Sequence, residues 1–349
     1  MAQLSLPPQP VSTIGLAQYG TIHDIAYSED GKQLAVACAK VTGQSWTVVY
    51  DTANMKIVAE TGHEGRVVSE RLVWSPSGTK LIIKFEYRFD IWDPVAKDLR
   101  VVKRHHPIKD VNWCGDDVFL VAERSCVFKM NPTRFLGPHT IATYHFKHMH
   151  VRSISSVRNS KYLIIITRVS KSPEEFKYTS GWSEKRIVIY NMDKHETVYQ
   201  VPVLEDIRNI HHNPDDLDVL VTPKDRKTFQ MWTLDAGVKG TGITARLKKR
   251  SIIPHTNPGD YVGPTSIGGN RNQFIFSATS TGVDIWRRQS GIPHQRFQPQ
   301  ILQDEGVSCF SWRRSSDNFL NFATAGIDSN LLHIWRGFEP DLARGPVPL

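Results

Sequence analysis

Two stretches in the last quarter of the chain share one plan. Residues 268–291, "GGNRNQFIFSATSTGVDIWRRQSG", and 317–337, "DNFLNFATAGIDSNLLHIWRG", each run from an apolar, β-branched segment through a short turn into a second segment ending in Ile-Trp-Arg. Trp286 and Trp335 close the two copies, 49 residues apart. A unit of roughly 40–50 residues whose strand ends on an aromatic cannot bury both of its apolar faces alone. It must stack against further copies of itself, which restricts the chain to a repeat architecture.

The same unit can be traced upstream. "DIAYS" (residues 24–28), "LAVACA" (34–39) and "WTVVYD" (46–51) form one copy, and "RLVWSPSGTKLIIKFEYRFDIWD" (71–93) forms the next, with Ser-Pro-Ser-Gly as its turn. Further copies lie at 110–131, 152–191 and 207–234, making seven. Aligning their closing strands puts Tyr50, Trp92, Met130, Tyr190, Trp232, Trp286 and Trp335 in one column, with gaps of 42, 38, 60, 42, 54 and 49 residues. The three longest gaps hold insertions, Val169–Lys185, Ala236–Arg250 and Gln298–Glu305, which read as surface loops. The apolar runs are short, rich in Val, Ile and aromatics, and bounded by Gly, Pro, Asn and Asp, so they read as strands and not as helices.

The expected fold is therefore all-β, a seven-bladed β-propeller with about four strands per blade. The last copy ends at Trp335 one strand short, and "STIGLAQYG", Ser12 to Gly20, is expected to supply the missing strand and close the ring. Residues 12–337 form the propeller on this reading. The Pro-rich residues 1–11 and the tail 338–349 fall outside it as disordered ends.

"GHEGRVVSERLVWSPSGTKLI" and "FATAGIDSNLLHIWR" resemble WD40 repeats, with Gly62-His63 before the blade and Trp74-Ser75-Pro76 on its inner strand. Asp225 and Asp328 stand seven residues before Trp232 and Trp335. The resemblance implies that such an Asp joins the His and Trp of its blade in a buried hydrogen-bond network, giving His63, Trp92, Asp225, Trp232, Trp286, Asp328 and Trp335 structural roles. The last two copies, with Gly268-Gly269-Asn270, Ile285-Trp286 and Ile334-Trp335 in this order, are similar to the WD40 propeller subunit of the glucose-induced-degradation (CTLH-type) ubiquitin ligase. The LisH–CTLH helical module of that group does not precede the first copy here. That likeness implies an adaptor in ubiquitin-dependent degradation, with ligase scaffold subunits as partners.

Composition narrows the function classes. With 40% hydrophobic and 22% charged residues, the chain has the make-up of a soluble folded protein. No stretch is long and apolar enough for a membrane-spanning helix, and the start "MAQLSLPPQPVS" lacks the charged and apolar regions of a secretory signal. A cytoplasmic or nuclear location is expected. Cys38, Cys114, Cys126 and Cys309 are scattered, with no C-x-x-C, so neither a zinc finger nor a disulfide scaffold is indicated. P-loop, G-x-S-x-G and H-E-x-x-H motifs are absent. Asp116-Asp117 and Asp215-Asp216 fall between strands, where Asp caps its own backbone, and the His pairs 105–106 and 211–212 cannot readily chelate one ion from a strand. No enzyme activity, cofactor or metal is expected.

Two groups of cations remain as candidate binding residues. Arg71, Lys109, Arg152 and Arg208 open the inner strands of successive copies, where the strand starts ring one mouth of the central channel. Together they would form a cationic pocket for an acidic protein or peptide segment. The second group is the basic run Arg246, Lys248, Lys249 and Arg250, read as a loop between the fifth and sixth copies. A net charge of +8 is compatible with the alternative, a basic propeller that binds RNA or an anionic phosphate-bearing surface through that run. Nucleic acid is the weaker option, because the aromatic motif of RNA-binding sheets is missing.

Overall fold

Along the second strand of six of the seven copies, consecutive residues are mostly apolar: LAVACA, LIIK, FLVA, LIIIT, VLV, FIFSAT. Alternate residues of a strand point to opposite faces, so such a run must be covered on both sides. The computed structural model satisfies this requirement by stacking sheet on sheet. It describes residues 9–338 apart from 66, 133–138, 158–160, 170–184, 204–206, 213–217, 224–227, 240–241, 255–260, 270–271, 281, 298–305 and 315–318. The insertion Val169–Lys185 (except its two end residues), the segment Gln298–Glu305, Asp225 and the tail from residue 339 lie outside the described residues.

Every regular element among the described residues is a strand, and the strands form seven four-stranded antiparallel sheets. Six are consecutive blades, at residues 21–63, 71–103, 108–145, 149–203, 207–254 and 261–297. The seventh joins Val307–Arg313, Phe319–Gly326 and Leu331–Phe338 to the N-terminal strand Gln9–Gly15. The first strands touch one another in order around the ring, and that of blade 1 touches that of blade 7. They line the centre.

Each pair of neighbouring blades encloses its own apolar core. In blade 1, Leu34 and Val36 face the core shared with blade 7, whereas Ala35 and Ala37 face the core shared with blade 2. The aromatic column is one register row. Tyr50, Trp92, Met130, Tyr190, Trp232, Trp286 and Trp335 pair with Leu34, Leu81, Phe119, Leu163, Val219, Ile275 and Phe322 of the second strands, and all seven are buried.

Polar links tie the inner strands together. The Trp74 indole donates to the Ala26 carbonyl and the Trp113 indole to the Val73 carbonyl, each 2.9 Å away in the preceding blade. Trp74, Trp113 and Trp312 occupy one inner-strand position, opposite Leu81, Phe119 and Phe322.

Two boundaries differ from the sequence reading. The closing strand is Gln9–Gly15, three residues earlier than expected, and Leu16 to Gly20 make the turn into blade 1. The stretch Ala236–Arg250 is a hairpin and not a loop. The outer two strands of blade 5, Thr228–Lys239 and Gly242–Pro254, pair as far as Lys239 and Gly242. The register matches Leu234 with Leu247, Ala236 with Ala245 and Val238 with Ile243, while Asp235 meets Arg246 between them. That alternation extends the sheet outward.

Candidate functional site

The inner strands carry a shared irregularity. Their register against the second strand shifts between Ile22 and Asp24, Ile108 and Asp110, Val151 and Ser153, Ile207 and Asn209, and Val307 and Cys309. The extra residue of a bulge is left out of the ladder and bends its strand. Those residues are His23, Lys109, Arg152, Arg208 and Ser308. His23, Lys109 and Arg152 are exposed; the side chain of Arg208 is outside the described residues. Lys109, Arg152 and Arg208 thus hold one backbone position in three consecutive blades.

Arg71 does not belong to that row. It pairs with Lys84 three residues before Trp74, as Asp110 pairs with Ala122 three residues before Trp113. Its guanidinium donates to Asp110, whose side chain is buried. Asp110 also accepts from the Val111 amide at 2.9 Å, the Ser153 hydroxyl at 2.7 Å and the Ile154 amide at 2.9 Å. Asp24 makes the equivalent link one interface earlier, accepting from the Leu72 amide at 2.6 Å. Burial pushes its carboxyl up to about 6, against the Leu72 hydrogen bond and the Arg71 charge.

The mouth is therefore two-sided. Toward blades 7, 1 and 2 lie exposed Asp328 and Glu70, the latter ion-paired to buried Lys84. Burial lowers the His23 pKa there, with Asp328 opposing. Toward blades 3 and 4 the charge is positive. Lys109 and Arg152 are joined by Arg124, an exposed turn residue at φ 47 degrees whose carbonyl accepts the Val151 amide at 2.6 Å. None of these three side chains has an ion-pair partner among the described residues. Sequence inspection missed Arg124 because it sits between strands; the two-residue turn Arg124-Ser125 was the available signal.

The other basic run is placed differently. Arg246, Lys248, Lys249 and Arg250 lie on the outermost strand of blade 5, so the loop assignment is corrected to a strand. Arg250 ion-pairs with buried Asp218 at 3.3 Å, and the Lys249 ammonium stands 5.9 Å from the Trp232 ring centre. The side chains of Arg246 and Lys248 are outside the described residues.

His63 is buried, with Nε2 2.9 Å from the Thr47 hydroxyl and Nδ1 donating to Asp90 at 3.0 Å. Phe85 stands seven residues before Trp92 and packs its ring against His63, 5.0 Å between centres. The acid comes from Asp90 on the third strand, not from the turn. Asp328 lies exposed in its turn at φ 54 degrees, and the Trp335 indole donates instead to Thr324 at 2.8 Å. Among the described residues, no group of three His, Cys, Asp or Glu is placed to hold a metal ion.

No family model matches the chain, and no curated protein matches it. Among solved structures, the crystal structure of the β-propeller domain of Cps50 (Swd1) from Myceliophteria thermophila is similar, with a TM-score of 0.72 and 15% identity over 94% of this chain and 99% of that one. That likeness agrees with the seven four-stranded sheets of this chain and establishes the β-propeller fold. The binding chemistry has to be argued from this chain's own residues.

Proposed function

We propose that this chain is a non-catalytic scaffold whose channel mouth captures an acidic segment of a protein partner on the side of blades 3 to 5. The supporting observation is the bulge row: Lys109, Arg152 and Arg208 at one backbone position, with Lys109 and Arg152 exposed and without ion-pair partners among the described residues. Cations held on a rigid frame favour an acidic partner and speed its encounter. Asp328 and Glu70 across the mouth would orient that segment by repulsion. The likeness of the last two blades to the propeller subunit of the CTLH-type ligase suggests ubiquitin-dependent degradation as the setting.

The test is affinity capture with mass spectrometry, comparing the native chain with Lys109→Glu/Arg152→Glu and with Lys249→Glu/Arg250→Glu. Recovery of ubiquitin-ligase scaffold subunits, lost only in the first variant, is the expected result. Recovery of RNA-binding proteins that nuclease removes, lost only in the second, would replace this reading with a basic propeller that binds RNA.

A further inference from the structure

At the other end of the strands, where blade 1 meets blade 2, two hollows of about 600 and 340 Å³ share Val58 and Lys97 and form one groove. It runs beside Lys56–His63, the outermost strand of blade 1, which has no strand partner on its outer side among the described residues. The floor is apolar. Val58 and Val95 are 52% and 81% exposed, and buried Pro94 lines the same hollow. Apolar side chains left exposed in a concave site next to a free strand edge suit an added, extended strand.

The rim supplies the charge preference. Lys32, Lys97 and Arg313 line the larger hollow together with a single carboxylate, Asp51. Asp51 is already engaged in its own turn, accepting from the Ala53 amide at 2.7 Å and the Asn54 amide group at 3.3 Å. Among the described residues, the Lys32 ammonium makes one ion pair, an exposed contact with Asp30 at 3.4 Å that is worth little in water. The Arg313 Nε donates to the Gly31 carbonyl at 2.8 Å, and the Lys97 ammonium has no ion-pair partner among the described residues. Glu60, farther along the strand, accepts the Tyr19 hydroxyl. The larger hollow is net cationic over an apolar floor.

From this we infer a second docking site, separate from the channel mouth: the groove binds an extended acidic–aliphatic segment of a partner protein along the free edge of Lys56–His63. Alternate aliphatic side chains of the segment would cover Val58 and Val95, and its carboxylates would meet Lys97, Lys32 and Arg313. Strand addition supplies affinity through main-chain hydrogen bonds, and the pocket and charges supply selectivity.

The probe is a fluorescein-labelled peptide, Glu-Ile-Asp-Val-Asp-Glu, titrated by fluorescence anisotropy against the full chain. Controls are the same peptide with Lys for each acid and with Ser for each aliphatic residue. Asp is tolerated at positive φ, so Lys97→Asp fits the local backbone at φ 56 degrees, and Val58→Asp places a charge on the exposed floor. Both variants should keep the melting temperature of the native chain. We expect at least tenfold weaker binding in each, in both control peptides, and at raised salt, with no change in Lys109→Glu/Arg152→Glu. Equal binding by the Lys97→Asp and Val58→Asp variants overturns the assignment, as does loss only in the channel-mouth variant. Concentration-dependent dimerisation abolished by Val58→Asp, with no peptide binding, would assign the groove to a second copy of this chain instead.

Discussion

Arg71 of blade 2 donates to Asp110 of blade 3, the carboxylate that also receives the Ile154 amide of blade 4. One buried acid therefore holds three consecutive inner strands. Arg71→Ala leaves Asp110 with its other three donors and should cost about 1–2 kcal/mol. Asp110→Asn removes acceptors from the Ser153 hydroxyl and the Ile154 amide and should cost about 2–4 kcal/mol. Lys109→Ala, one residue away, should stay within about 0.5 kcal/mol, as expected of an exposed residue outside the network. Urea denaturation of the three variants checks this order. A larger loss for Lys109→Ala than for Arg71→Ala would contradict the division of the mouth into structural and available cations.

Asp218 makes a comparable link between blades 5 and 6. Its carboxylate accepts from the Thr233 hydroxyl at 2.6 Å and pairs with Arg288, whose side chain is only 10% exposed. Burial raises its pKa, but the Thr233 and Arg288 hydrogen bonds and the charges of Arg288 and Arg250 more than offset that, leaving it below the usual carboxylate value. The stabilisation is thus present above the unfolded carboxylate range and is lost as pH falls through the lowered folded value. Asp218→Asn should cost about 3–5 kcal/mol at pH 7, because it leaves the Arg288 charge poorly compensated. Thermal unfolding at pH 7 and near pH 3 should show the difference between variant and native chain shrinking at the lower pH.

Asp24 predicts the opposite slope. Its folded pKa is raised to about 6, so folding favours the protonated acid. Relative to Asp24→Asn, the native chain should lose stability as pH rises from about 4 to 6.5, by about 2 kcal/mol over that window. The stabilising contribution is greatest below the unfolded value and gone above the folded one. Parallel urea titrations at pH 4.5 and 7 measure it, and a difference between the two chains that does not change with pH would show that the carboxyl is ionised throughout.

Strand order and the closing aromatics were legible in the sequence because both depend on local pattern. Trp92, Trp286 and Trp335 each follow an Ile at the end of a short strand-forming run, and all three are buried. What the sequence concealed was register and distance. Arg71 looks equivalent to Lys109 until the bulges are counted, since one extra residue in blades 1, 3, 4, 5 and 7 moves every following side chain by one place. His63 finds its acid 27 residues away on the next blade, and Asp218 finds Arg288 at a separation of 70, pairings that only packing creates. The blade 5 hairpin was hidden by its charges: Arg246, Lys248 and Arg250 suggest a solvated loop, although they alternate with Leu247 and Lys249 as an outer strand can.

Ring closure gives the sharpest test of the fold's energetics. Gln9–Gly15 pairs with residues 331–336 over most of its length, and Thr13 Oγ1 lies 3.0 Å from Nδ1 of buried His333. Without that strand, the edge carrying Leu332 and Trp335 loses its outer neighbour, and the core between blades 7 and 1 loses Ile14. An exposed, flat, apolar edge is a template for pairing with other chains. Deleting residues 1–15 should therefore lower the melting temperature by about 5 °C or more and produce aggregation on heating, since a loss of 1 kcal/mol already shifts a large domain by about 2–4 °C. Deleting residues 1–8 alone should leave both unchanged, because the paired strand begins at Gln9. Light scattering during a thermal ramp separates the two truncations, and identical behaviour would mean that the ring closes without its N-terminal strand.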